Sequence, residues 1–192
     1  GRVVGSFGVL GALSFYPTKN LGAYGDGGAV ICQDEEMAER IRALRNYGQV
    51  RQNVHCEKGI NSRFDEIQAA VLRAKLPHLR GWLARRRHLA DRYRKRLPST
   101  ILPASHANEE HVYHLFPVLF PNRGRFSDQL RIAGIETMIH YPSPVHQQPV
   151  MGNLSDDGFP AASRWSDEEL SLPLHPFLSD ESLEWVIESV LS

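Results

Sequence analysis

The amino-acid sequence predicts an α/β fold in which a first part, with two short strands followed by helices, precedes a smaller α+β unit. Two features predict it. In the first half, short apolar segments bounded by glycine or proline are followed by segments of helical period. After Pro98 the elements become short, and strand-like and helix-like segments are mixed. The 192 residues are enough for one domain and a fraction of another.

Two strands are predicted near the start of the chain. Residues 7–16 are small and apolar and are followed by Pro17, which is typical of the end of a buried strand. A glycine-rich loop follows, and residues 29–32 form a second short apolar segment. We therefore expect a strand, a loop and a strand.

Helices are predicted next. Asp34 is a candidate N-cap for a helix that reaches about residue 46, and Gly48 closes it. A second helix begins near Phe64, since apolar residues recur there at helical spacing. Pro77 should interrupt it, and a strongly basic helix should continue over residues 82–97.

The second unit contains shorter elements. The predicted strands cover residues 112–120 and 135–139, and a helix covers residues 125–133. A loop rich in proline and histidine follows at residues 140–150. The last element is an amphipathic helix that begins behind Ser179 and Asp180.

The composition is that of a globular protein. Hydrophobic residues make up 42%, charged residues 23%, and 22 basic residues balance 22 acidic ones. With no net charge, we expect neither nucleic acid nor a membrane surface as a partner. No apolar run approaches the ~20 residues of a spanning helix, and the sequence shows no secretory leader, so we expect a cytoplasmic location.

The spacing of cysteine and histidine predicts no metal site. Cys32 and Cys56 lack the paired spacing of zinc ligands, and we expect a small buried side chain and a loop thiol. His111 and His114 lie three apart in a predicted strand, which would point them to opposite faces.

Lys19 is the candidate reactive residue. It lies between an apolar strand and a glycine-rich loop, where loss of solvation can make an amine nucleophilic toward a carbonyl. Most lysines are solvated surface groups, so this position alone leaves both roles open. The glycine-rich loop is followed by a strand, which fits neither a P-loop nor a dinucleotide fingerprint. For the basic run from Arg85 to Arg96 we expect a solvated or salt-bridged face.

Six ordered segments carry a resemblance. They are SFYPTKNLGAYGDGGAV at 14–30, RNYG at 45–48, GINSRFDEIQAA at 59–70, HVYH at 111–114, IHYPSPVH at 139–146 and LSLPLHP at 170–176. Together they resemble the DegT/DnrJ/EryC1/StrS family of sugar aminotransferases that depend on pyridoxal phosphate. The segment around Asn61 is most similar to the branch that acts on nucleotide-linked 3-keto-6-deoxyhexoses.

The resemblance implies the aspartate-aminotransferase-type fold (fold type I). Residues 1–75 would be the end of the large cofactor-binding domain, 76–98 a linking helix and 99–192 the small C-terminal α+β domain. The chain would match only the C-terminal half of a family member. The other half would supply the acidic residue that pairs with the pyridine nitrogen, so we expect a fragment that is inactive alone. An incomplete sheet would leave an unpaired edge, which predicts self-association or recruitment of another chain.

The resemblance also implies roles for five residues. Lys19 would hold the cofactor as a Schiff base and then move a proton, and Ser14 would bind the cofactor phosphate. Asn61 would reach that phosphate from the neighbouring subunit, which implies a homodimer with a shared active site. His140 and His146 would lie near the substrate sugar. Glutamate would donate the amino group, and a nucleotide-linked keto-deoxysugar would accept it.

Two other functions stay open. The chain could be a non-catalytic interaction or dimerisation module, in which case pyridoxal phosphate should produce no absorbance change. It could also belong to the cofactor-dependent dehydratases among these relatives. Those typically carry histidine in place of the lysine, so Lys19 speaks against this function.

Overall fold

The computed structural model describes residues 2–103, 111–152 and 158–192. Its contacts divide the chain into two units, Gly1–Leu79 and Arg80–Ser192. The first unit contains two separate two-stranded antiparallel sheets and two helices. Its elements are β1 (Leu10–Ser14), β2 (Gly28–Cys32), α1 (Glu35–Leu44), β3 (Gln49–Arg51), β4 (Val54–His55) and α2 (Glu66–Lys75).

Strands β1 and β2 pair from Leu10 opposite Cys32 to Ser14 opposite Gly28. The second strand is confirmed, but the first is shorter than predicted, and its predicted burial is wrong. Gly11 alone among the residues of β1 is buried, while the side chains of Leu10 and Leu13 are 46% and 41% exposed. The reason is that, in the part of the chain that the structure describes, the two strands form a sheet of their own and their apolar side chains remain uncovered.

The helices of the first unit follow local signals. Asp34 caps α1, and its Oδ1 accepts the backbone N–H of Met37 at 2.6 Å. At the end of α2, a 3₁₀ turn over Leu76–His78 contains Pro77 and leads into α3 (Leu79–Arg96). The predicted helix, its interruption and its basic continuation are therefore confirmed.

The second unit packs helices on a short antiparallel pair of strands. The elements after α3 are a 3₁₀ turn (Ser99–Ile101), β5 (Phe116–Leu119), α4 (Arg123–Ile132), 3₁₀ turns at Val145–Gln147 and Pro149–Met151, α5 (Pro160–Glu168), β6 (Glu169–Leu172) and α6 (Asp180–Leu191). Buried side chains of α3, β5, β6 and α6 form one core, centred on Tyr93, Phe116 and Ile187. The predicted C-terminal helix is confirmed, with Ser179 accepting the N–H of Ser182 at 3.0 Å.

Two predictions for this unit need correction, and two elements were not predicted. The strand predicted from 112 begins only at Phe116, so His111 and His114 lie before it and the argument from opposite strand faces does not apply. The strand predicted at 135–139 is reduced to a single bridge between Met138 and Ser171. Strand β6 was not predicted, because four residues, ELSL, give too little periodicity to identify. Helix α5 was not predicted either.

The basic face of α3 is salt-bridged, as predicted. Arg85 and Arg92 contact Asp180, and Arg92 and Arg96 contact Glu184, at nitrogen–oxygen distances of 2.5–2.8 Å. These contacts join α3 to α6 within the second unit. Arg92 is thus shared by both carboxylates, which makes the pairs a small network.

Candidate functional site

The loop that carries Lys19 is closed at its base by Phe15. The backbone N–H of Phe15 donates to the carbonyl of Gly27, and its carbonyl accepts the N–H of Ala23, both at 2.8 Å. Within the loop, the N–H of Lys19 donates to the carbonyl of Tyr16 at 2.8 Å. Lys19 is half-buried. The amine is therefore carried by a turn that backbone hydrogen bonds hold in place.

Gly22 allows this turn to close. A Cβ at residue 22 would lie 2.3 Å from the carbonyl oxygen of Pro17 and 2.9 Å from that of Tyr16. Both obstacles are backbone atoms, so a side chain could not be accommodated without moving the turn. The glycine-rich character of the loop thus serves close backbone packing next to Lys19.

Helix α2 holds the far side of the same loop. The ammonium of Lys75 donates to the carbonyl of Gly22 at 2.7 Å and lies 4.6 Å from the centroid of the Tyr24 ring. The backbone N–H of Tyr24 donates to Oε1 of Gln68 at 2.8 Å. The sequence analysis did not identify Gln68 and Lys75, because nothing in the sequence distinguishes them from other polar residues of a helix.

Ser14 and Asn61 both lie in the first unit. Ser14 is the last residue of β1 and precedes Lys19 by five residues. Its Oγ accepts the backbone N–H of Tyr16 at 3.3 Å. Asn61 forms a bridge with Asn46, and its Oδ1 accepts from Nε of Arg63 at 3.0 Å. Both residues are exposed. The structure therefore places two of the matched segments, 45–48 and 59–70, side by side.

His140 and His146 meet in the second unit. Both line a largely apolar cavity of about 470 Å³, together with Phe159 and Trp165. His146 is buried, stacks on Phe159 with ring centroids 4.8 Å apart, and places Nε2 3.3 Å from Oγ of Ser163. His140 is only half-buried and also lines a neighbouring cavity of about 850 Å³.

A buried carboxylate holds His140. Glu169 has no exposed surface, and its Oε2 accepts the backbone N–H of His140 at 2.5 Å. Its Oε1 accepts the hydroxyl of Ser171, also at 2.5 Å, and that hydroxyl lies 2.9 Å from Nδ1 of His140. The indole N–H of Trp165 donates to the carbonyl of His140 at 3.3 Å. The sequence signal for this network is two polar residues that alternate with leucines in one strand.

The structure thus groups the candidate residues into two sets. Lys19, Ser14 and Asn61 belong to the first unit, and His140 and His146 belong to the second. Within the described residues, no cluster of three or more histidine, cysteine or acidic side chains could hold a metal ion. In the same part of the chain, no helix is both long and apolar enough to cross a membrane.

Solved structures identify the class of protein. The structure matches that of S. venezuelae DesV in complex with a ketimine intermediate, with a TM-score of 0.92 and 43% identity, over 99% of this chain and 53% of that one. It also matches the PLP-form of the putative sugar aminotransferase Spr1654 from Streptococcus pneumoniae, with a TM-score of 0.86, 26% identity and coverages of 99% and 53%. The fold is therefore that of the matched part of sugar aminotransferases, and the predicted fold class is confirmed.

Sequence comparison gives the family. The DegT/DnrJ/EryC1/StrS aminotransferase family matches residues 1–191, and the chain belongs to this family, as the resemblance indicated. The dTDP-3-amino-3,4,6-trideoxy-alpha-D-glucose transaminase of Streptomyces venezuelae is 44% identical over 195 residues, which are 99% of this chain and 52% of that protein. The chain spans about half the length of the curated relatives it matches.

Proposed function

We propose that this chain is part of a sugar aminotransferase that uses pyridoxal phosphate to move an amino group from glutamate to a nucleotide-linked keto-deoxysugar. The observation that carries the proposal is Lys19, a half-buried primary amine on a turn that backbone hydrogen bonds close. Membership of the family and the likeness to a PLP-form structure support it. The transaminase relative, named for a dTDP-linked amino sugar, supports the substrate class.

The residues of the first unit fit this cofactor. Pyridoxal phosphate supplies an aldehyde that a primary amine can bind covalently and a ring that accepts electrons during amino-group transfer. Lys19 is the amine, and the close packing at Gly22 fixes the backbone that carries it. Ser14 presents a hydroxyl at the end of β1, suited to a phosphate oxygen.

Each proposed residue has its own task. Lys19 binds the cofactor and, once its Nζ is released as a free amine, takes and returns a proton at that nitrogen. Ser14 binds the phosphate. Asn61 reaches the phosphate in a second subunit, which makes the working unit a homodimer with a shared site, and its exposure in this chain supports that role. His140 and His146 bind the sugar.

The chain alone is proposed to be inactive. It spans about half of its relatives, and the apolar side chains of β1 and β2 are exposed on both strands, including Leu10, Leu13, Val30 and Ile31. We assign residues 1–75 to the large domain, 76–98 to a linking helix and 99–192 to the small domain, in a cytoplasmic protein. An assay of the 192 residues with glutamate, cofactor and a 3-keto sugar nucleotide should show no turnover. Normal turnover would contradict this part of the proposal.

Borohydride reduction followed by peptide mapping tests the role of Lys19. The chain, joined to the segment that completes it to the length of its relatives, is incubated with pyridoxal phosphate and reduced. We expect a pyridoxyl label on the peptide spanning residues 15–25. Lys19→Arg should lose the label, and the matched control Lys58→Ala, an exposed lysine of the same unit, should keep it. A label confined to any other peptide would refute the proposal.

The exposed apolar surface of β1 and β2 favours a second function, that of an interaction module without catalysis. The same experiment separates the two. A module would acquire no label at Lys19 and would still self-associate as its concentration rises, in analytical ultracentrifugation.

A further inference from the structure

We propose that Glu169 and Ser171 are positioning residues that hold His140 in one tautomer, with the proton on Nδ1 and the lone pair of Nε2 presented to a hydroxyl group of the sugar substrate. The substrate class in this proposal rests on the proposed function. The tautomer of His140 rests on the geometry of the second unit.

The backbone places Glu169 opposite His140. The bridge between Met138 and Ser171 is antiparallel, so the same register would pair His140 with Glu169 two residues further along. The backbone N–H of His140 instead donates to the side chain of Glu169, at 2.5 Å. The side-chain carboxylate of Glu169 therefore accepts the hydrogen bond that the backbone carbonyl of Glu169 would accept in a continued ladder. This explains why the antiparallel pairing does not continue from Met138 to His140 and how a buried acidic residue finds donors here.

The hydroxyl of Ser171 determines the tautomer. A hydroxyl has one proton, and Ser171 donates it to Oε1 of Glu169 at 2.5 Å. Toward Nδ1 of His140, 2.9 Å away, the same oxygen can then act only as an acceptor. Nδ1 must carry a proton for this hydrogen bond to form. In a neutral imidazole, Nε2 is consequently left as an acceptor.

The ring is held in place as well as in one tautomer. Glu169 fixes the N–H of His140, Trp165 fixes its carbonyl, and Ser171 fixes the ring. In the described part of the chain, Nε2 has no hydrogen-bond partner, and the residue lines two cavities. An acceptor held in this way suits an O–H donor such as a sugar hydroxyl, because little rotamer entropy is lost on binding.

Long-range proton–nitrogen NMR spectra of the full chain test the tautomer directly. At about pH 8, where an ordinary imidazole is neutral, the spectrum should show His140 protonated at Nδ1 only. The signal is assigned by its loss in His140→Gln. A proton on Nε2, or a mixture of the two tautomers, would overturn the proposal, and this measurement requires no folded variant of Glu169 or Ser171.

Substitutions test the positioning role. Ser171→Ala should turn the His140 signal into a mixture of tautomers, and Ser171→Thr, which keeps the hydroxyl, should restore the single one. Ser189→Ala removes another buried hydroxyl of the same unit and should leave the signal unchanged. An unaltered Nδ1 tautomer in Ser171→Ala would show that Ser171 has no such role.

Kinetics of the completed enzyme separate this proposal from the proposed function. In Ser171→Ala, KM for the sugar nucleotide should rise about tenfold, the usual effect of one weakened hydrogen bond, while the half-reaction with glutamate stays unchanged. Equal losses in both half-reactions would refute the link to the sugar. Absence of transamination by the unaltered enzyme would remove the proposed function, but the tautomer of His140 would still be decided by NMR.

Discussion

Nη1 of Arg86 lies 2.8 Å from the carbonyl oxygen of Leu174, and the same nitrogen also donates to the carbonyls of Tyr113 and His114 at 3.0 and 3.2 Å. Arg86 is buried, and desolvation lowers the pKa of its guanidinium. Three backbone carbonyls thus take the place of a carboxylate partner. They join α3 to two of the matched segments, HVYH at 111–114 and LSLPLHP at 170–176.

Arg86→Met should destabilise the second unit by about 2–4 kcal/mol, because the substitution leaves several carbonyls without a donor. The three tryptophans all belong to this unit, so their fluorescence during urea unfolding reports on it alone. Arg87→Met, at the next position of the same helix, is the control and should change the free energy of unfolding by no more than about 0.5 kcal/mol. Equal effects of the two substitutions would contradict the prediction.

The salt bridges between α3 and α6 should make stability depend on acid pH. Hydrogen bonds from Arg85 to Asp180 and from Arg92 to Glu184 are the main causes that hold the pKa of each carboxyl below its usual value. A carboxyl with a lowered folded-state pKa stabilises the fold above its unfolded pKa of about 4, and the contribution is lost as pH falls below that.

The measurement compares the original chain with the double variant Asp180→Asn and Glu184→Gln. The difference in free energy of unfolding should be present at pH 7 and should shrink as the pH is lowered from about 4 toward 2. Because Asp180 is exposed and Glu184 is only half-buried, 1 M NaCl should also reduce it. A difference that is independent of both pH and salt would show that the pairs contribute nothing electrostatic.

Local chemistry made much of the fold predictable. The capping side chains of Asp34 and Ser179 act within three residues, and Pro77 acts on its own turn, so their effects could be inferred without any tertiary contact. The burial of β1 could not be inferred in this way. Apolar residues show that a strand should be covered, but not what covers it.

The residues of the candidate site also divide into those that local sequence indicates and those that depend on tertiary contacts. Lys19 could be selected from its position next to a glycine-rich loop, and His140 and His146 from the resemblance. Glu169 could not, because one of its donors, the backbone N–H of His140, comes from 29 residues away in the chain. Lys75 escaped notice for the same reason, since its acceptor, Gly22, lies 53 residues away.

Lys75→Met should loosen the loop that carries Lys19. The variant keeps the apolar stem but removes the donor to the Gly22 carbonyl and the cation above the Tyr24 ring. Hydrogen exchange of the amides of Lys19 and Ala23 should become about 10- to 30-fold faster, as expected for loss of a charged hydrogen bond. Arg73→Met, an exposed position of the same helix, should leave these rates unchanged. Equal rates in the original chain and Lys75→Met would show that the contact does not hold the loop.

Gly22→Ala should disrupt the turn itself. The new Cβ would lie 2.3 Å from the carbonyl oxygen of Pro17, and since this obstacle is backbone, no side-chain rotation can relieve the overlap. We expect a cost above about 2 kcal/mol, visible as faster exchange of the Lys19 and Ala23 amides, and loss of the borohydride-trapped label in the completed enzyme. Gly81→Ala is the matched control, because a Cβ at that position of α3 would meet no atom within 4 Å. It should leave the label intact and make the helix slightly more stable, by about 0.5–1 kcal/mol. If Gly22→Ala kept both the slow exchange and the label, close backbone packing at residue 22 could not be what fixes the amine of Lys19.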